Sequence, residues 1–402
     1  MRSVRRKADV YAVPDISSED IRQITEKASE RVMFDEAVVF NMAAEENRGG
    51  EWTYVRIPDG MRYDDDSYLQ IRDRIAGMEK RVLFITCRKY LIFTNRLLWE
   101  CPNAVAGVCV DADCAYPVEQ YVTRENRMLW DFQAAKSEAD DFASMSGWNN
   151  SYDNTQFAEE EIREYINDAV LKVRPCLTED AAALEVGIGS GMIALELSRY
   201  CGQYDGCDIS ETVLEILRAR AAKEGVQNME LFKADADKVH ELGRQYDVIL
   251  SSSVTEYFSG YNYMRAVVES GIRALKDSGH LFFFDVFDLA EKKNYMDSVH
   301  DYSLKHPEAD YKRDFAHELY IPYDFWRQLG QELPEIAAVN ITGKIGDIDN
   351  EINRYRYDVE LVIDKAAQDG AEQHAETAEK AEHAIGRPQF GFDLENKILI
   401  ER

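Results

Sequence analysis

The chain is expected to fold as an α/β protein. The expectation is a doubly wound sheet of seven strands with helices on both faces, preceded by a smaller N-terminal α/β subdomain. Three observations predict this. The apolar run Leu184–Val186 ends in glycines at alternate positions, Gly187, Gly189 and Gly191, and an amphipathic pattern of Met192, Ile193, Leu195 and Leu197 follows. That reads as a buried strand, a tight turn and a helix. From there to about residue 286, short apolar runs alternate with helical patterns, the sign of a mainly parallel sheet. Upstream, Val82–Thr86, Tyr90–Trp99 and Ala104–Val110 repeat the strand–helix–strand pattern.

Taken in order, residues 1–18 read as an entry segment. Residues 18–47 carry a helix signal: Ser18 as cap, Glu19 and Asp20 in the first turn, and Ile21, Ile24, Ala28 and Val32 on one face. A strand from Trp52 to Ile57 leads to a polar loop holding Asp64, Asp65 and Asp66. Without a further ligand pattern those aspartates read as a solvated turn rather than a cation site. Arg124 to Ala143 reads as an amphipathic linker helix with Leu129, Trp130 and Phe132 apolar. Ser146 to Asp153 breaks that pattern, either as a surface loop anchored by Trp148 or as a lid carrying Tyr152 toward a ligand. A helix over Glu159–Leu171 feeds the glycine-bearing strand.

The second strand ends at Asp208, and a helix over Glu211–Glu224 follows, bracketed by Ser210 and Gly225. Met229–Phe232, Tyr246–Leu250 and Leu281–Val286 are the next strands, with a helix over residues 261–276. Residues 287–330 are long for a simple connection and hold His300, His306 and His317; they read as a lid or acceptor pocket. Ala337–Gly343 and Arg354–Ile363 are the last two strands, a hairpin. The expected domains are 1–127, 128–364 with the insertion 287–330, and a charged tail over 365–402.

Composition narrows the function. A net charge of −28 over 402 residues repels phosphate backbones, and no run of Lys and Arg interleaved with aromatics offsets it. Nucleic acid is therefore not an expected partner. No stretch approaches the roughly 18 apolar residues of a membrane helix, and no secretory pattern follows the basic start, so neither a membrane nor export is expected. Seven dispersed cysteines read as reduced thiols of a cytoplasmic protein. Cys101, Cys109 and Cys114 fit no paired metal-binding spacing, and no metal is expected.

The glycine turn sets the ligand class. Its spacing is Gly-x-Gly-x-Gly, with Glu185 two residues before the first glycine. The dinucleotide fingerprint is the wider Gly-x-Gly-x-x-Gly, which argues against a nicotinamide oxidoreductase. Asp208, at the end of the next strand, is placed to accept hydrogen bonds from both hydroxyls of a ribose.

This pattern resembles motif I of the class I S-adenosylmethionine-dependent methyltransferases, whose Rossmann-like sheet has seven strands. Five blocks sharpen the likeness: Gly147–Tyr152, Leu184–Gly191, Ser252–Phe258, Phe284–Val286 and Asn350–Val359. In this order they resemble the methyltransferase domains embedded in adenylation domains of nonribosomal peptide synthetases, over about residues 128–364. Leu97–Val110 resembles the small adenylation subdomain into which such domains are inserted. With no adenylation core upstream, a free-standing relative is expected, and its acceptor is either carrier-bound or a free amino acid, amine or peptide.

The resemblance implies S-adenosylmethionine as cofactor, held by Tyr152, Glu185, Gly187, Gly189, Gly191, Asp208, Ile209, Asp235, Ala236, Ser252 and Ser253. It implies that Asp235 lies near the adenine amino group; the other reading is that Asp235 caps the next turn. The catalytic candidates are Glu256, Glu351, Arg354 and Tyr355. Glu256 stands where the family often has Gln and is the candidate to orient or deprotonate an amine. Glu351 is the candidate to bind that amine, with an ion pair to Arg354 as the alternative. An ammonium has no lone pair, so it must lose a proton before it attacks a methyl group in line. N-methylation in natural-product biosynthesis is thus expected ahead of O- or C-methylation, or of a silent partner protein.

Overall fold

The computed structural model describes residues 18–29, 33–41, 52–56, 66–87, 90–101, 103–110, 115–134, 148–313, 315 and 318–367. Gly147, Cys114, Asp64, Asp65, His317 and the expected tail from residue 368 on lie outside them. The chain divides into two compact units, one built on residues 1–124 and one on residues 125–258 and 263–378.

The first unit runs α1 (Ser18–Ser29), β1 (Glu36–Asn41), β2 (Trp52–Arg56), α2 (Asp66–Ala76), β3 (Val82–Cys87), α3 (Leu91–Glu100), β4 (Ala104–Val110) and β5 (Ala115–Pro117), then enters α4 (Val118–Ala134). Its sheet has the order β2-β1-β3-β4-β5, parallel except for β5. Val38 and Phe40 face one buried layer, Ala37 and Val39 the other. That two-sided burial is what a central parallel strand needs. It corrects the expected helix over residues 18–47: the helical pattern holds to Ser29, and the β-branched run after Glu36 is a strand. Asp66, expected in a loop, is instead the first residue of helix α2, which was not expected. Cys101 and Cys109 are buried thiols in this unit's core.

The second unit continues with α5 (Glu159–Val173), β6 (Ala182–Val186), α6 (Ala194–Leu197), β7 (Gln203–Asp208), α7 (Glu211–Glu224), β8 (Met229–Lys233), β9 (Tyr246–Ser252), α8 (Tyr261–Ala274) and β10 (Leu275–Phe287). It ends with α9 (Lys292–Lys305), α10 (Tyr323–Glu332), β11 (Ile336–Thr342), α11 (Glu351–Tyr355) and β12 (Arg356–Asp364). The seven strands have the order β11-β12-β10-β9-β6-β7-β8, and β12 alone runs antiparallel to its neighbours. This is the Rossmann-like sheet the sequence predicted. Strand order reverses between β6 and β9, and in such sheets the ligand crevice opens at the carboxyl ends of those strands.

Local chemistry explains the boundaries. The Ser210 hydroxyl accepts from Val213 N at 3.3 Å to cap α7, and Gly225 ends it with φ 75°. The helix after the glycines is short: α6 runs straight into the 3-10 turn Ser198–Tyr200. The last strand starts at Arg356 rather than Arg354, because the Asn350 side chain accepts from Asn353 N and nucleates α11 first.

Candidate active site

The loop after β6 is held open by its glycines. Gly187, Gly189 and Gly191 all have positive φ, 71°, 53° and 76°. A Cβ on Gly187 would stand 2.6 Å from Val254 of the loop after β9, and one on Gly191 would stand 2.5 Å from Leu217 of α7. A Cβ on Gly189 would meet only the Gly187 carbonyl, at 3.9 Å, so that face of the loop is open to a ligand. The loop is therefore packed against Val254 at its first glycine and against Leu217 at its third, and open at Gly189.

Asp208 completes this edge. Its carboxylate accepts from Gly189 N at 3.2 Å and Ser210 N at 2.9 Å. Burial pushes the carboxyl up to about 6 against those backbone donors, and Asp131 of α4 adds to the rise. Two donors leave lone pairs free for hydroxyls. Ile209, half-buried, follows it. Asp235 begins the 3-10 turn Ala236–Leu242 but makes no side-chain cap; it pairs with Arg127 at 3.1 Å and Lys238 at 3.8 Å. The capping alternative is thus not what the fold uses. Ala236 is buried behind it. These groups fit the nucleoside part of S-adenosylmethionine: a carboxylate for the ribose, a second acid beyond it and an open backbone cradle between.

Glu185 is placed differently. It is buried on β6, accepts from the Tyr204 hydroxyl at 2.6 Å, and burial pushes it up to about 8. Ser252 and Ser253 share the Tyr165 hydroxyl at 2.5 and 2.9 Å. Ser253, at φ 53°, also donates to Asp285, which has φ 65°.

Beside Ser253 lies a cavity of about 400 Å3. Its walls bear aromatic rings such as Trp130, Trp148 and Tyr257, and its charged groups are Glu256, Asp310, Lys312, Glu318, Glu351 and Arg356. Glu256 is 4% exposed, and its Oε2 has no hydrogen-bonding partner. Burial pushes its carboxyl up to about 8; the Asp285 charge adds to this and Arg356 opposes it. Glu318 pairs with Lys312, whose ammonium lies 4.9 Å over the Phe315 ring.

Glu351 is the opposite case. It accepts from Ser151 N at 2.8 Å, Ser151 Oγ at 3.1 Å, Tyr295 Oη at 2.8 Å and Arg356 Nη2 at 3.2 Å. Its carboxylate ties the loop at 148–157 to α9 and β12. Arg356 also reaches Asp285 at 2.6 Å and lies 4.4 Å over Phe287. Arg354 does not join them: it is exposed and paired with Asp349. Tyr355 stacks on Tyr295 at 4.9 Å. Tyr152 turns toward α9, bonding Ser298 Oγ at 3.0 Å with its ring against Tyr302, rather than lining the cavity.

The structure adds residues the sequence reading passed over. Arg356 and Asp285 sit inside the quoted blocks but gave no signal of their own, since their pairing spans two strands. On α4, Asn126 donates to Tyr257 O, Trp130 meets the Tyr257 ring edge-on at 5.1 Å and Asp131 accepts from Ser210 Oγ at 2.6 Å. With Arg127 these recur at helical spacing, a face the apolar pattern hid. Leu129 and Phe132, expected to pack, are 43% and 57% exposed.

A family profile described as "Methyltransferase domain" matches residues 183–279, the glycine loop through the start of β10. Chondramide synthase cmdD of Chondromyces crocatus is 30% identical over 232 residues, 55% of this chain and 6% of that protein. Cyclosporin synthetase simA of Tolypocladium inflatum is 28% identical over 240 residues, 56% of this chain and 2% of that protein. The chain thus spans only a few per cent of these relatives' length. Among solved structures, Haemonchus contortus phosphoethanolamine N-methyltransferase 1 is 12% identical, covering 61% of this chain and 50% of that one at a TM-score of 0.43.

Proposed function

The chain carries a class I S-adenosylmethionine-dependent methyltransferase domain, similar to those of nonribosomal peptide synthetases, and from that premise we propose that it N-methylates an amine. The acceptor is an amino acid, amine or aminoacyl intermediate of natural-product biosynthesis, presented free or on a carrier protein. One observation carries the reading: a buried carboxyl with one oxygen lacking a partner, Glu256, lines an aromatic, acid-lined cavity beside the cofactor edge.

The bound cofactor supplies a methyl group on a sulfonium, which leaves as a neutral thioether. The chain's own residues do the rest. Gly187, Gly189 and Gly191 give the ligand backbone to lie on, Asp208 takes the ribose hydroxyls, and Asp235 and Ala236 flank the base. Ile209, Ser252 and Ser253 line the approach between the two loops. Aromatic rings and carboxylates favour a cationic amine over an anion. Glu256 then removes the ammonium proton. A carboxyl raised to about 8 is a far better match for an amine than an ordinary one near 4.5. Arg356 bridges Glu351 and Asp285 and holds the wall in place, with Tyr355 stacked behind.

The test is methyl transfer from labelled S-adenosylmethionine to amino acids, amines and carrier-bound aminoacyl thioesters. The reading predicts that Glu256→Gln lowers kcat by about 100- to 10,000-fold. It also predicts that the wild-type limb rising toward pH of about 8 disappears in that variant. Full turnover by Glu256→Gln across the pH range would remove Glu256 as the base.

A further inference from the structure

Away from the cavity, three side chains with metal-ligand chemistry converge from three elements. Cys176 ends the 3-10 turn Arg174–Cys176 after α5, His280 lies on β10 and Glu360 on β12. One ligand atom of each lies within 4.8 Å of those of the other two. The sheet register explains half of this. Phe282 pairs with Glu360 and His280 with Val362, so His280 and Glu360 are diagonal neighbours on one face. The turn after α5 then brings the thiol to them.

The site is oriented. His280 Nδ1 lies 2.8 Å from Glu360 Oε1, and its ring stacks on Phe282 at 6.0 Å with 16° between the planes. Asn340 Nδ2 donates to Glu360 Oε2 at 2.8 Å, fixing the carboxylate from β11. All three groups are half-buried, so water and ions reach them.

We propose that Cys176, His280 and Glu360 bind one zinc-class divalent cation. A thiolate, an imidazole and a carboxylate form the mixed S/N/O set that suits Zn2+, whereas magnesium and calcium seek oxygen alone. Bond lengths of roughly 2.0–2.3 Å to such an ion put ligand atoms about 3.3–3.8 Å apart, a small side-chain adjustment from the present spacing. The proton balance is simple. The Cys176 thiol releases its proton to solvent, His280 stays neutral with its N–H on the nitrogen away from the ion, and Glu360 binds as the carboxylate. One proton leaves per cation bound, so binding tightens as pH rises. The fourth position is left to water. His280 pairs with Val248 near the start of β9, whereas Glu256 follows its end. The ion therefore clips α5 to β10 and β12 and takes no part in methyl transfer.

The experiment uses the full chain, stripped with a chelator and titrated with Co2+ and then Zn2+ in competition with a chromophoric chelator. The expected result is one equivalent bound, with a thiolate-to-cobalt charge-transfer band that Cys176→Ser abolishes. His280→Asn weakens binding by about 10- to 100-fold. Zn2+ raises the Tm of the wild type, raises that of His280→Asn less at the same concentration, and leaves that of Cys176→Ser unchanged. S-adenosylmethionine binding, unchanged in both variants, reports that they are folded. Absence of a bound equivalent overturns the proposal, and so does a charge-transfer band that survives in Cys176→Ser.

Discussion

Asp208 and Glu256 are both buried acids raised above the ordinary carboxylate range, yet they differ in what surrounds them. Two backbone N–H groups hold Asp208, so its charge is already supported before a ligand arrives. Glu256 has an oxygen with no partner, and burial without that support holds its carboxyl up at about 8. Asp208→Ala is therefore expected to weaken S-adenosylmethionine binding by about 10- to 100-fold, the loss of a charged hydrogen-bond acceptor, read by calorimetry. Glu185 belongs to stability instead. Its carboxyl moves from 4.5 in its ordinary state to about 8 in the fold. The folded state then holds a proton that the unfolded chain has released. That contribution is fully present below about pH 4.5 and is lost as pH rises through about 8. Glu185→Gln should narrow the stability difference between about pH 5 and about pH 8.5 by on the order of 4 kcal/mol. An unchanged pH dependence of Tm would show that Glu185 is ionised in the fold. The glycine turn and the strand-end position of Asp208 were legible because residue type and spacing there are set by backbone geometry. The Arg356–Asp285 pair was not, because a strand pairing of distant residues leaves no mark on local sequence.

At the scale of elements, the loop at 148–157 and α11 explain each other. Asn150 folds the loop by accepting from Tyr152 N and Asp153 N, which presents Ser151 to Glu351. Two blocks that stood apart in the sequence thus form one wall of the cavity. Glu351→Ala leaves Ser151 N and one side of Arg356 without their acceptor in a buried place, while the Ser151 and Tyr295 hydroxyls keep only each other, and is expected to cost about 3–5 kcal/mol of stability. Denaturant unfolding checks this; a loss under about 1 kcal/mol would contradict it. Gly191→Ala forces a Cβ onto Leu217 at a positive φ and should lower both Tm and cofactor affinity, at about 1–3 kcal/mol. Helix α7 was legible to the residue, since Ser210 and Gly225 are true caps. Strand β1 was not: its apolar run follows a helix without an intervening Pro or Gly, and burial on both faces removes the alternation that marks a strand.

At the scale of the molecule, the order of strands in the second unit puts every cofactor candidate at the carboxyl edge of the sheet except Glu185 and Tyr152. The long insertion after β10 supplies Lys312 and Glu318 to the cavity beside it. The fold class was legible because seven apolar runs and their helices recur in sequence. The convergence of Cys176, His280 and Glu360 was invisible there, since only the sheet register assembles it. No helix among the described residues is long and apolar enough to cross a membrane. A ligand that binds only the folded state should raise its stability by about 2.7 kcal/mol at a hundred times its dissociation constant. S-adenosylmethionine and S-adenosylhomocysteine are expected to raise Tm accordingly, and NAD is not.

The most direct measurement is a calorimetric titration of S-adenosylmethionine into the wild type, Asp208→Ala and Glu256→Gln, with NAD as the control. The predicted result is stoichiometric binding to the wild type, retained affinity in Glu256→Gln, sharply reduced affinity in Asp208→Ala and no heat from NAD. Wild-type affinity preserved in Asp208→Ala, or no binding by the wild type, would contradict the assignment of the glycine loop and Asp208 as the cofactor edge.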